Sequence, residues 1–184
     1  RLRDTGHLFP CTCSRKDIQG AGIAPHAEDG EAIYPGTCRI KNSSAKPQEP
    51  STPANWRFRV PEGEVIQFED GRCGLQRFVA GNDFGDFPVW QKDGMPAYQL
   101  AVVVDDAAMK VTEVVRGKDL LLSTARQLLL YRALKLNPPD FYHCPLMTDE
   151  KGHRLAKRHD ALSLRAAREA GHKPEEIRDK WPAL

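Results

Sequence analysis

Cys11-Thr12-Cys13 is followed, across a Gly- and Ala-rich loop, by Tyr34-Pro35-Gly36-Thr37-Cys38. This pattern constrains the fold more than any other in the chain, because ligands from separate segments must meet at one point. Three thiolates bind zinc through short, soft bonds, and a tetrahedral site needs a fourth ligand. The candidates are His26, through an imidazole nitrogen, and Tyr34, through its phenolate. An unperturbed phenol ionises near ~10, which favours the imidazole, yet a zinc ion lowers the pKa of its ligands sharply. The alternative is three buried free thiols, since C-x-C is less diagnostic than C-x-x-C. Five cysteines is an odd number and no secretory feature accompanies them, so a disulfide framework is not expected. Cys73 and Cys144 sit inside apolar strand patterns and are expected in the core.

The chain has 184 residues, of which 40% are hydrophobic, enough for one large domain or two small ones. No apolar run reaches the ~20 residues of a membrane helix, and the longest, LAVVVDDAAM, is interrupted by two aspartates. No signal peptide is visible at the start. Residue 1 is arginine, so the start is expected to be a cut inside a longer chain. The net charge of +2 is unevenly spread: residues 110–184 hold 15 Lys/Arg against 10 Asp/Glu, and the remainder holds 12 against 15. A basic C-terminal part suits a polyanionic partner, and a solvated helix face explains the same surplus.

Residues 1–10 read as the tail of a helix running into a short strand, with Gly6 as the break. A short helix capped by Ser14 follows. From 20 to 53 the composition is that of a loop, and KNSSAKPQEPSTPAN is expected to be mobile. WRFRV, VIQFEDG and GLQRFVA read as short antiparallel strands. FPVWQKDGMPAYQL holds a strand and a Lys-Asp-Gly turn suited to a hairpin. AVVVDDAAM is ambiguous between helix and strand, and VTEVVRG is a clearer strand. STARQLLLYRALKLN is the best helix, capped by Ser123 or Thr124 and stopped by Pro138-Pro139. FYHCPLM reads as a buried strand, and DALSLRAAREAG as a last helix ending at Gly171. The alternation favours an α/β sheet with a β-rich, metal-bearing insertion before it.

Two polar features stand against this background. Arg116 closes a strand, and in open α/β sheets ligands bind beyond the carboxyl ends of strands; an arginine there can fork onto a carboxylate. A surface ion pair, with Asp119 for example, is the alternative. Tyr98 precedes the apolar run of AVVVDD. Near the C-terminus, GHRLAKRH concentrates basic side chains after FYHCPLMTD, as a phosphate-contacting loop or a solvated turn would.

AYQLAVVVDDAAMKVTEVVRGKDLLLSTARQLLLYRAL and FYHCPLMTDEKGHRLAKRH together resemble the catalytic domain of glutamyl-tRNA synthetases, class I enzymes with a Rossmann fold. The resemblance covers most of residues 1–172 and is most specific over 95–160. Within that group it is closer to the truncated glutamyl-queuosine tRNA(Asp) synthetases. These carry the pattern C-x-C…Y-x-x-x-C, matched here by Cys11, Cys13, Tyr34 and Cys38, and only 26 residues follow Arg158.

The resemblance makes Tyr34 the fourth ligand of a structural zinc and turns AVVVDDAAM into a helix. It implies that Tyr98 and Arg116 bind glutamate. Arg154-Leu155-Ala156-Lys157-Arg158 then stands where the family has its KMSKS-like loop, with Lys157 contacting ATP phosphates. The family has Lys and Ser where this chain has Arg154 and Ala156, so only Lys157 is carried over. A mobile cationic loop suits electrostatic stabilisation of attack on the α-phosphate. The HIGH-like motif and the first half of the Rossmann fold are expected upstream of Arg1, leaving a chain inactive alone.

The expected organisation is 1–10, the end of the first Rossmann half; 11–80, the zinc-bearing insertion and connecting strands; 81–172, the second half of the catalytic domain; and 173–184, a C-terminal tail. The implied function is ATP-dependent activation of L-glutamate, with Mg2+, and its transfer to queuosine in the anticodon of tRNA(Asp), by a cytoplasmic monomer. The alternatives are a truncated glutamyl-tRNA synthetase charging the 3′ end and a non-catalytic, zinc-bearing tRNA-binding module.

Overall fold

The computed structural model describes residues 1–20, 33–41, 50–146 and 164–179, which form an α/β fold with two sheets. The strands are β1 (Leu8–Cys11), β2 (Asn55–Phe58), β3 (Val65–Asp70), β4 (Gly74–Val79), β5 (Phe87–Trp90), β6 (Glu113–Gly117) and β7 (Asp140–Cys144). The helices are α1 (Arg15–Gly20), α2 (Thr37–Lys41), α3 (Tyr98–Met109), α4 (Leu121–Leu134), α5 (Leu164–Glu169) and α6 (Pro174–Asp179). Two compact units result, Arg1–His143 and Cys144–Leu184.

The first sheet has the order β1-β2-β5, antiparallel throughout. Proline cannot donate to a strand ladder and is confined to sheet edges. Pro10 and Pro88 accordingly lie on the two outer strands, and the central strand NWRF contains none. The second sheet has the order β4-β3-β7-β6, with β3 antiparallel to β4 and parallel to β7. The alternation of VIQFED and GLQRFV sets the hairpin register, pairing Ile66 with Phe78 and Phe68 with Gln76. Gly71, in the turn, is needed for close approach: a Cβ there would lie 2.9 Å from the Tyr142 ring.

Leu8, Phe58, Val60, Ile66, Phe84, Val89, Val103 and the α4 residues Ala125, Leu129, Leu130 and Tyr131 form the main core of the first unit. A smaller core gathers Phe9, Cys11, Tyr34 and Cys38. In the second unit, α5 ends where Gly171 takes φ 86°, as its pattern predicts, and the short α6 follows.

Several expectations need correction. Residues 2–6 form a hydrogen-bonded turn, not the tail of a helix, before β1 begins. The segment read as loop contains α2, although much of it lies outside the described residues. Ser123 and Thr124 do not cap α4; that helix starts at Leu121 out of a 3-10 turn, placing both inside its first turn. It ends before the prolines, at Lys135 with φ 57°, where the amides of Lys135 and Leu136 return to the carbonyls of Arg132 and Tyr131. Cys73 and Cys144 are both partly exposed, Cys73 because it lies in the β3–β4 turn. Other readings stand. Ser14 caps α1 reciprocally with Asp17, AVVVDDAAM is helical, and Gly94 at φ 87° closes the turn after β5.

Candidate metal centre and amino-acid site

Cys11 ends β1, Cys13 lies two residues beyond, and Cys38 sits in α2. Their sulfurs lie within 4.8 Å of one another, and the Cys13 and Cys38 sulfurs are 3.6 Å apart. The Tyr34 hydroxyl completes the group at 3.5 Å from the Cys11 sulfur and 3.8 Å from that of Cys13. A tetrahedral zinc with bonds of about 2.3 Å to sulfur and about 2.0 Å to oxygen requires S···S edges near ~3.8 Å and O···S edges near ~3.5 Å. The four side chains fit such an ion. His26 lies outside the described residues.

The protonation behaviour is that of coupled thiols. Burial pushes the Cys13 thiol up to about 11, helped by its bond to Cys38. Burial also opposes the Cys38 thiolate, but bonds from Tyr34, the Thr12 backbone and the other two cysteines bring it down to about 7. Burial, with Cys11 beside it, pushes the Tyr34 phenol up from its ordinary value. A cation among them would favour the ionised forms of all four.

Arg57 reaches this cluster from β2. Its Nε–H donates to the Cys11 sulfur at 3.3 Å, its Nη1 donates to the Asp86 carbonyl at 2.9 Å, and its guanidinium carbon lies 4.2 Å from the centre of the Tyr34 ring. A buried arginine against a thiolate-rich site offsets the negative charge that three cysteines would bring to a divalent ion. Sequence reading missed Arg57, whose strand alternation alone marks it as an ordinary solvated position. A cleft of about 750 Å³ runs from Cys11, Cys13 and Tyr34 to Tyr98 and Arg126.

Tyr98 opens α3 and is half exposed, and Arg116 lies near the end of β6, so both occupy places where a ligand can reach them. The structure brings them together: Tyr98 helps hold the Arg116 guanidinium, which burial pulls down from its ordinary pKa. Arg116 is anchored from behind. Its Nε donates to His143 Nε2 at 3.1 Å, and its Nη2 donates to Thr124 Oγ1 at 2.6 Å and Gln127 Oε1 at 2.9 Å. Phe141 lies under the guanidinium at 5.3 Å. Gln127 in turn donates to Gln99 Oε1 at 2.9 Å, and Gln99 donates to Ser123 Oγ at 3.1 Å. His143 Nδ1 faces Asp70 Oδ2 at 2.5 Å, both side chains being fully buried. None of Asp70, Thr124, Gln127 or His143 was a candidate from sequence; a histidine in an apolar strand was the only available signal. The Lys157 loop, Arg154 to Arg158, lies outside the described residues.

These two features, a thiol cluster and an arginine at a strand end over a buried polar network, are set in an α/β frame shared with known proteins. Residues 4–180 match the family of tRNA synthetases class I (E and Q), catalytic domain. The chain belongs to that family. It is 50% identical, over 173 residues, to the glutamyl-Q tRNA(Asp) synthetase of Nitratidesulfovibrio vulgaris, a match covering 92% of this chain and 53% of that protein. It is 49% identical, over 181 residues, to the protein of the same name from Symbiobacterium thermophilum, covering 96% of this chain and 55% of that one. The chain thus spans about half the length of these relatives. Among solved structures, the glutamate-tRNA synthetase of Elizabethkingia anophelis superposes with a TM-score of 0.65 at 27% identity, over 84% of this chain and 33% of that one. No helix among the described residues is long and apolar enough to cross a membrane.

Proposed function

We propose that this chain is the amino-acid-binding and metal-bearing part of a ligase that activates L-glutamate with ATP and transfers it to queuosine at the wobble position of tRNA(Asp). The observation that carries this reading is Tyr34: its hydroxyl joins Cys11, Cys13 and Cys38 in one cluster, in a chain half identical to proteins named glutamyl-Q tRNA(Asp) synthetase. Cys11, Cys13, Tyr34 and Cys38 hold one zinc per chain. The ion supplies folding free energy to the segment that carries it.

In the first half-reaction the glutamate α-carboxylate attacks the α-phosphorus of ATP, and pyrophosphate leaves with its bonding electrons. Arg116 and Tyr98 orient the amino acid. Among the described residues Arg116 spends Nε and Nη2 on the buried network and also meets Tyr98, and Nη1 is the donor this reading assigns to a substrate carboxylate. Lys157, in its basic loop, stabilises charge developing on the phosphates, with ATP accompanied by Mg2+. In the second half-reaction a hydroxyl of the queuosine cyclopentenediol attacks the glutamyl carbonyl, and AMP departs. Vicinal hydroxyls of that kind resemble those of a terminal ribose, so one active site suits either acceptor. The basic stretch 110–184 supplies backbone-directed attraction to the RNA, and a splayed base in a single-stranded loop supplies specificity. The protein works as a cytoplasmic monomer on this reading.

The test uses the full-length gene product and an anticodon stem-loop without a CCA end. Labelled glutamate enters the queuosine-containing stem-loop and not its guanosine counterpart. Incorporation only into intact tRNA, independent of queuosine, establishes instead the second reading, a glutamyl-tRNA synthetase charging the 3′ end. The structural likeness to glutamate-tRNA synthetases favours that second reading as the alternative.

A further inference from the structure

Behind Arg116 lies a buried relay that the proposed reaction does not use directly. Asp70 and His143 come from adjacent parallel strands, β3 and β7, and both side chains are fully buried. Asp70 Oδ1 accepts the backbone amides of Cys73 at 2.8 Å, Arg72 at 3.1 Å and His143 at 3.3 Å, which fixes the carboxylate at the head of the β3–β4 turn. Its other oxygen, Oδ2, faces His143 Nδ1. On the far side of the ring, Nε2 receives Arg116 Nε–H at 3.1 Å and also faces Thr124 Oγ1 at 3.2 Å.

The donors and acceptors determine the tautomer. An arginine nitrogen can only donate, so His143 Nε2 must present a lone pair. The ring proton therefore sits on Nδ1 and points at a carboxylate that can only accept. A doubly protonated ring would turn Nε2–H against Arg116 Nε–H. In the Nδ1–H form the chain Asp70–His143–Arg116 runs from an anion through a neutral imidazole to a cation with every bond satisfied, whereas an Nε2–H ring would find the Thr124 hydroxyl but oppose Arg116 Nε–H.

We propose that Asp70 and His143 are positioning residues for the amino-acid site, holding His143 as the Nδ1–H tautomer so that its Nε2 clamps Arg116 and aims Nη1 at the substrate carboxylate. This rests on the reading of Arg116 as a glutamate-binding residue. Thr124 and Gln127 hold Nη2, and Phe141 supports the plane, but among the described residues it is the histidine alone that fixes the Nε edge. A guanidinium held on one edge only is free to swing about Cδ–Nε, and precise carboxylate recognition depends on that angle.

Asp70→Asn is the discriminating variant. Asn Oδ1 still accepts the three backbone amides, so the turn is retained. Its Nδ2–H2 group faces His143 Nδ1, forcing the ring proton to Nε2, where it opposes Arg116 Nε–H. Three measurements on the full-length gene product are needed. Nitrogen-15 NMR of labelled histidine reports the tautomer of ring 143. Glutamate-dependent pyrophosphate exchange gives KM for glutamate and for ATP. Arg116→Lys, in the same assay, tests the underlying site.

The expected result is an Nδ1–H ring in the wild type and an Nε2–H ring in Asp70→Asn. The variant's KM for glutamate rises on the order of tenfold or more, the scale of a lost hydrogen bond to a charged group, with the KM for ATP unchanged. A reversed tautomer with an unchanged glutamate KM overturns the proposal. So does an Nε2–H or doubly protonated ring in the wild type, which needs no variant to fold. If Arg116→Lys leaves the glutamate KM unaltered, the reading of Arg116 fails instead, and the two failures are distinct.

Discussion

Replacing Tyr34 by phenylalanine removes one oxygen atom and little else, so it isolates the proposed fourth ligand. The ring remains 4.2 Å beneath the Arg57 guanidinium and 6.1 Å from Phe9, so its packing is kept. The lost hydroxyl oxygen accepts the Cys38 backbone amide at 2.7 Å in a buried setting. An orphaned buried donor costs about 1–3 kcal/mol. For a domain of this size that lowers Tm by roughly 2–12 °C. If the oxygen also binds zinc, a second cost follows: each hundredfold loss of metal affinity removes about 2.8 kcal/mol of linked stability. The assay is zinc content together with thermal unfolding of both proteins, with and without a chelator. In the wild type, chelation should lower Tm substantially. In Tyr34→Phe the zinc content should be substoichiometric and the chelator effect smaller. After chelation the two proteins should differ only by the lost amide bond. Equal zinc content and equal rates of release to the chelator would refute Tyr34 as a ligand, and zinc absent from both would refute the site.

Other outcomes follow from the same geometry. Lys157→Ala should lower the rate of glutamyl-adenylate formation on the order of a hundredfold or more while weakening glutamate binding far less, as pyrophosphate exchange would report. Arg116→Lys should raise the glutamate KM strongly and leave the ATP KM nearly unchanged, since lysine cannot hold His143, Thr124 and Gln127 at once. Asp86→Ala should cost roughly 1–3 kcal/mol in denaturant unfolding, because it orphans the buried Val60 amide that Asp86 Oδ1 accepts at 2.8 Å and removes the Arg39 ion pair at 2.7 Å, while Arg39 keeps the Val60 carbonyl and Glu62. Burial opposes the Asp70 carboxylate, but the amides of Cys73 and Arg72 and the His143 ring hold it at about 2, below its ordinary value near ~3.9. Its folded pKa is depressed, so its contribution is present above pH ~4 and is lost as pH falls towards 2. The acid-side slope of unfolding free energy should therefore flatten in Asp70→Asn, and an unchanged slope would contradict the assignment.

Much of the framework is legible along the chain because it depends on neighbours in sequence. Alternation in VIQFED and GLQRFV marks a hairpin, and the Ser14–Asp17 spacing marks a helix start. Where the local signal is weak, the reading fails. Lys110 and Lys135 end their helices in the left-handed conformation without the glycine that would announce it. α4 begins before its expected cap because a 3-10 turn feeds it and no side chain caps it.

The site divides in the same way. The three cysteines could be read from residue types and intervals alone, whereas Tyr34 as their companion, in preference to His26, and the roles of Tyr98 and Arg116 came only with the resemblance to a known family. The partners that give these residues their chemistry could not be read at all. Arg57 meets Cys11 across 46 positions, Arg39 meets Asp86 across 47, and Asp70 meets His143 across 73. In sequence, Asp70 is a turn residue, Arg57 a polar position in a strand, and His143 a polar interruption of an apolar run. Only the packing of strands against one another removes water from these groups, and a polar side chain without water must find its partner wherever the fold has brought one.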